Sequence, residues 1–147
     1  MTTYASLQDM IDRFGLEELI ELTDYSQTGA IDSTKLGMAL QDANNEIDGY
    51  LSGVCNLPLV TIPPRLIKIA ADIARYELYG ARCTDQVRQR YTDGISFLKQ
   101  VVTGTASLGL DPLLQPVPNS GGVGMNPKRA KFDGDTLRDY NHPPVLF

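Results

Sequence analysis

The sequence predicts an all-α fold: a compact bundle of about four main helices in residues 1–104, followed by a long extended arm rich in proline and glycine over 105–147. Three observations predict it. Apolar residues recur at spacings of three and four through most of the first region, the period of a helix with one face in a core. Helix-start signals (Ser6 with Asp9, Pro63–Pro64, Thr84–Asp85) stand where those periods begin. At Gly104 the period stops, and the last 43 residues hold six of the nine prolines.

Each element follows from its own residues. Ser6 and Asp9 form a weak capping box, and Leu7, Ile11 and Phe14 share a face until Gly15 interrupts. LEELIEL continues as a second short helical piece with Leu16, Leu19 and Ile20 inward. From Ser33 to about Gly53, Leu36, Ala39, Leu40, Ala43, Ile47, Tyr50, Leu51 and Val54 make an apolar face opposite Gln41, Asp42, Asn45 and Asp48. Pro58 forbids further helix, and Pro63–Pro64 suit the first turn of the next one, where a missing N–H costs nothing. That helix carries two stripes, Leu66, Ile69, Ala70, Ile73 and Tyr76 on one side and Ile67, Ala71, Ala74 and Leu78 on another, so it should be the central one. Thr84 or Asp85 caps the last helix, in which Val87, Tyr91, Ile95, Leu98 and Val102 keep the period.

The region after Gly104 has neither helical nor strand period and cannot build a core of its own. It nevertheless keeps supplying apolar groups: Leu110, Leu113, Leu114, Phe132, Tyr140 and the run Val145–Leu146–Phe147. These are the candidate partner-binding residues of an arm that becomes ordered on another chain, with SGGVG at 120–124 as a hinge. Fully extended, the 43 residues reach on the order of 140 Å, more than the width of such a domain.

Composition narrows the function classes. With 147 residues and 42% apolar content the chain is one domain's worth, and no run approaches the ~20 residues of a membrane span. MTTYASLQD lacks the basic start and apolar block of a secretion signal. Cys55 and Cys83, without CxxC spacing, read as two reduced thiols, and with His142 as the single histidine no metal cluster is expected. Net charge is −5, all of it from residues 1–104, which carry nine basic and fourteen acidic side chains. A free-standing duplex-DNA binder is more often net positive with a basic face.

Candidate chemistry is sparse. No GxSxG, P-loop, HExxH or helix-opening GxGxxG occurs, so no catalytic or cofactor-binding residue is assigned and no cofactor is expected. Glu17, Glu18, Glu21 and Asp24, like Asp42, Glu46 and Asp48, read as the solvated faces of their helices. Tyr76, Tyr79 and Tyr91 sit at core or interface spacing. Arg82, Arg88 and Arg90 make a modest basic patch that would meet phosphate or, more in keeping with the net charge, Asp85, Asp93 or a neighbouring subunit. The stretch Asp24–Lys35 mimics a calcium loop, with Asp24, Ser26, Thr28, Gly29, Ile31 and Asp32 in order, but its twelfth position is Lys35. An ammonium there has no lone pair and repels a dication, so the stretch reads as a tight turn in which Gly29 takes positive φ and Asp32 or Ser33 caps the next helix.

The ordered set Leu22-Thr23-Asp24, Ile31-Asp32, Ala39–Ala43 with Asp42, Ile47-Asp48-Gly49-Tyr50-Leu51, Leu57-Pro58-Leu59, Asp72-Ile73-Ala74 with Tyr76 and Tyr79, Arg90-Tyr91, and Gly104 through Gly109 resembles the small helical head–tail connector proteins of Mu-like phages and prophages. The resemblance covers about Tyr4 to Leu110. It implies a structural virion protein, made in the host bacterial cytoplasm, not an enzyme. It implies a homo-oligomeric ring of about twelve subunits beneath the portal protein, joined to a stopper or tail-completion protein, with genomic DNA passing through the lumen without sequence-specific binding and with no membrane partner. The alternative is a small helical DNA-binding or packaging accessory protein, which the arginines at 82, 88 and 90 would serve.

Overall fold

The computed structural model describes residues 3–110. Among them are five α-helices, a single 3₁₀ turn and no strand: α1 (Leu7–Phe14), α2 (Leu16–Thr23), α3 (Ser33–Leu51), α4 (Pro64–Tyr79), the turn Gly80–Arg82, and α5 (Asp85–Val102). The fold is all-α, as the periodicity requires. Gly15 takes φ 88°, and this break makes two short helices of the first helical stretch.

The helix ends are set by local chemistry. Ser6 accepts from the Asp9 amide while the Asp9 carboxylate accepts from the Ser6 amide, a complete reciprocal cap. Asp32 caps α3 by accepting from the amides of Thr34 and Lys35. Pro63 precedes α4 and Pro64 opens it, and Thr84 caps α5 by accepting from the Val87 amide.

Around α4 the other elements gather. Leu66, Ile69, Ala70, Ala71, Ile73 and Ala74 are all buried, so α4 is covered on two sides, by α3 and by α5. The facing layers are Leu36, Ala39, Ala43, Ile47 and Leu51 of α3, and Ile95 and Leu98 of α5. α5 approaches closely at Gly94, where a Cβ would lie 3.2 Å from Cγ2 of Ile69. Met10 of α1 and Leu19 of α2 close the remaining side, joined by Tyr4 and Ala5 of the N-terminal strand-like lead. Leu7 and Leu16, expected inward, are exposed: each is the first residue of its helix, and the buried positions fall further along, at Met10 in α1 and at Leu19 and Leu22 in α2.

The chain does not leave this core at Gly104. Leu108 and Leu110 fold back and pack half-buried against it.

Candidate functional site

Three carboxylates read from sequence as solvated clasp separate elements together. Glu18 of α2 accepts from Arg75 (Nε 2.7 Å) and from the Tyr79 hydroxyl (2.9 Å), and Arg75 also lies over the Phe14 ring. Glu46 of α3 accepts from the Tyr91 hydroxyl at 2.9 Å, while the Tyr91 ring stacks on Tyr76 with centroids 4.1 Å apart. Asp48 accepts from the Tyr4 hydroxyl, and Asn44 beside it accepts from the Tyr4 amide at 3.0 Å. Burial, followed by the Glu46 carboxylate, pushes the Tyr91 phenol well above its ordinary value, so this hydroxyl stays a donor. The signal available in the sequence was the tyrosines: each clasp pairs a phenol with an acid on a different element, a partnership that spacing along a single helix does not reveal.

The Asp24–Lys35 loop is closed by its own donors. Asp24 accepts from the Thr28 amide and hydroxyl (2.9 and 3.0 Å) and from the Gly29 amide (2.6 Å), with Gly29 at φ 77°. The ammonium of Lys35 donates to the Thr23 carbonyl (3.2 Å), lies 3.6 Å from Asp32 and sits over the Tyr25 ring. Buried Thr23 ties α2 to α3, donating to the Leu19 carbonyl and accepting from the Asp32 amide. The turn reading holds in detail, with Asp32 as the cap.

The candidate arginines do not converge. Arg82, exposed on the 3₁₀ turn, borders a depression shared with Glu21, Leu22 and Tyr79. Arg88 and Arg90 are two residues apart and so leave α5 about 200° apart. Arg90 turns toward α4, reaching buried Asp72 at 4.0 Å, with Lys68 at 3.7 Å from the same carboxylate. A cleft of about 150 Å³ between α4 and α5 thereby gathers Arg65, Lys68 and Arg90 with Asp72 and Asp93, and Arg65 caps it by lying over the Phe97 ring. The sequence did not reveal this grouping, because its cations come from two helices. Its charges nearly cancel, which suits a salt-bridged seam better than a phosphate track.

The larger feature is apolar. A groove of about 380 Å³ opens where α3 and α5 end, walled by Val54 and Cys55, by Val101 and Val102, and by Leu108 and Leu110. Cys55 is a free, half-buried thiol in this wall, its pKa raised by burial. Val102, expected inward, is exposed because nothing among the described residues covers this end of α5. Leu110, a candidate arm residue, thus lies on its own domain. Leu113, Leu114, Phe132, Tyr140, Val145, Leu146, Phe147 and His142 lie outside the described residues.

Among the described residues no group of three or more His, Cys, Asp or Glu side chains is placed to hold a metal, and no helix is long and apolar enough to cross a membrane. The fold and surface therefore define a small helical domain whose most distinctive feature is an open apolar groove. The chain belongs to the bacteriophage Mu Gp36 family, whose model matches residues 4–126. It is similar to the Mu-like prophage FluMu protein gp36 of Haemophilus influenzae, with 36% identity over 140 residues, covering 95% of this chain and 99% of that protein. It is also similar to gene product J of Escherichia phage Mu, with 31% identity over 109 residues, covering 74% of this chain and 77% of that one. The family match extends past Leu110, where the sequence resemblance ended, into the proline- and glycine-rich region.

Proposed function

We propose that this phage protein is a structural, non-enzymatic component of the virion: a head–tail connector adaptor that forms a ring of about twelve copies beneath the portal and joins it to the stopper or tail around the DNA channel. The observation that carries this reading is the apolar groove, set where the helical domain hands over to a proline- and glycine-rich segment that still carries large apolar groups. An open apolar groove on the domain and a separate extension that carries apolar groups supply the two unlike surfaces that a head-to-tail ring requires. Membership of a Mu phage family supports the setting. The net charge of −5 supports a lumen past which DNA slides without adhering.

The test is to mix the purified protein with the portal protein of the same phage and follow co-sedimentation and negative-stain electron microscopy. The expected result is a second ring stacked on the portal. Failure to bind the portal, together with salt-sensitive retention of duplex DNA, would replace this reading with the packaging-accessory alternative.

A further inference from the structure

The groove at the ends of α3 and α5 has no occupant among the described residues, while the sequence after Leu110 holds several candidates. Leu110 is both a wall of the groove and the last residue described, and 37 residues follow it. Leu113 and Leu114 come first, but a residue before proline is biased to extended backbone. With Asp111–Pro112 just before the pair, docking Leu113 and Leu114 beside Leu110 would need a chain reversal that this bias opposes. Val145–Leu146–Phe147 is a better match to an apolar groove of this size. It offers three adjacent large apolar side chains, and Pro143–Pro144 before it restrict the free chain and so reduce the entropy lost on docking.

The length of the segment indicates whose groove it serves. As a random coil, 37 residues would have a root-mean-square span of roughly 30–36 Å. A domain of about 108 residues has a radius of gyration near 13 Å, hence a diameter of roughly 34 Å. Thirty-seven residues are thus long enough to reach from one domain to the groove of a touching neighbour, the distance at which a ring would hold the next copy. A far shorter one would serve the groove of its own domain.

We propose that Val145–Leu146–Phe147 of one copy fills the Val54–Cys55–Leu108–Leu110 groove of a second copy, so that the subunit contact is arm into groove. This rests on the ring reading above and supplies its head-to-tail joint. The occupant is a second copy of this chain, and Cys55 in the groove wall is a built-in reporter.

The experiment uses two full-length chains of different mass. One carries Cys83→Ser and keeps Cys55; the other carries Cys55→Ser, Cys83→Ser and Leu146→Cys. They are mixed at assembly concentration, oxidised gently and run on a non-reducing gel, with Ser120→Cys in place of Leu146→Cys as the control. The expected result is a disulfide heterodimer forming at least about tenfold faster than the control. A rate equal to the control overturns the proposal. So does a chain carrying both Cys55 and Leu146→Cys that closes on itself in preference to joining a neighbour. Replacing Val145, Leu146 and Phe147 together by serine is expected to raise the half-assembly concentration by about tenfold or more with unchanged helical circular dichroism. An unchanged midpoint overturns the proposal. Rings seen by electron microscopy without the crosslink would sink this inference and leave the ring standing. A crosslink without rings would leave the arm-in-groove contact and remove the ring.

Discussion

The two ends of α3 are built from opposite chemistries. At its start Asp32 holds two amides, Thr23 holds the Asp32 amide, Asp24 holds the turn behind it, and Lys35 closes over all of them. At its finish, Val54 and Cys55 open into an apolar groove shared with α5, and Val102 stands 43% exposed beside it. The polar end is satisfied within the chain, and substitutions of its capping groups are expected to act on stability. The apolar end leaves surface that water covers poorly, and that is the end at which a partner gains the most by docking.

The most severe way to break the contrast is to remove the core on which both ends stand. Leu66 is fully buried at the head of α4, and Leu66→Ala is expected to lower unfolding stability by about 2–5 kcal/mol in urea titration. A loss below ~1 kcal/mol would mean that α4 is not the central helix.

Truncation sharpens the apolar end. A chain ending at Gly104 is expected to remain helical and melt cooperatively, yet to be less stable than one ending at Leu110 by roughly 1–3 kcal/mol, the contribution of two half-buried leucines. Equal melting of the two would show that Leu108 and Leu110 add nothing to the domain.

At the polar end, Asp32→Ala removes the α3 cap and is expected to cost about 1 kcal/mol, whereas Val102→Ser at the groove should cost less than about 0.5 kcal/mol in the isolated subunit. If the order reverses in the free protein, the groove is already filled within one chain.

The same end carries an acid signature. Hydrogen bonds from the Thr28 amide, then from the Gly29 amide, hold the Asp24 carboxyl below its ordinary value of 3.8. A depressed carboxyl contributes stability that is fully present above the unfolded value and is lost as pH falls through the lower folded one. The Thr28 and Gly29 amide resonances should therefore titrate with a midpoint below 3.8, and Asp24→Asn should abolish that titration.

The smallest effect concerns Glu77, whose carboxyl is pushed up by burial and then by Glu46 and Asp42. A raised carboxyl opposes folding once it ionises, so its penalty is absent below the unfolded value of 4.5 and grows as pH rises toward the folded one. Glu77→Gln is expected to raise stability at neutral pH by no more than about 0.5 kcal/mol and to leave it unchanged at pH 3. Destabilisation at neutral pH would mean that Glu77 has a cationic partner.

Periodicity and caps were enough to read the helices. α1, α3, α4 and α5 start at residues whose chemistry announces them, α2 only at the Gly15 break, and the two stripes of α4 named the central helix correctly. What escaped the sequence depends on pairs of elements. Glu18, Glu46 and Asp48 look solvated along their own helices and become clasps only when Tyr79, Tyr91 and Tyr4 arrive from elsewhere. Arg65, Lys68 and Arg90 meet only because Gly94 lets α5 close on Ile69. The groove was hidden for the same reason: the helical period of Val102 resembles that of a buried residue, and only the packing shows it exposed in the wall of a groove.

The proposed joining of heads to tails is tested most directly by electron microscopy of lysates from a phage lacking the gene, complemented or not by the full-length chain. Filled heads and complete but unattached tails are expected without the protein, and tailed particles when it is restored. Normal tailed particles in its absence, or heads that fail to package DNA, would contradict a connector role.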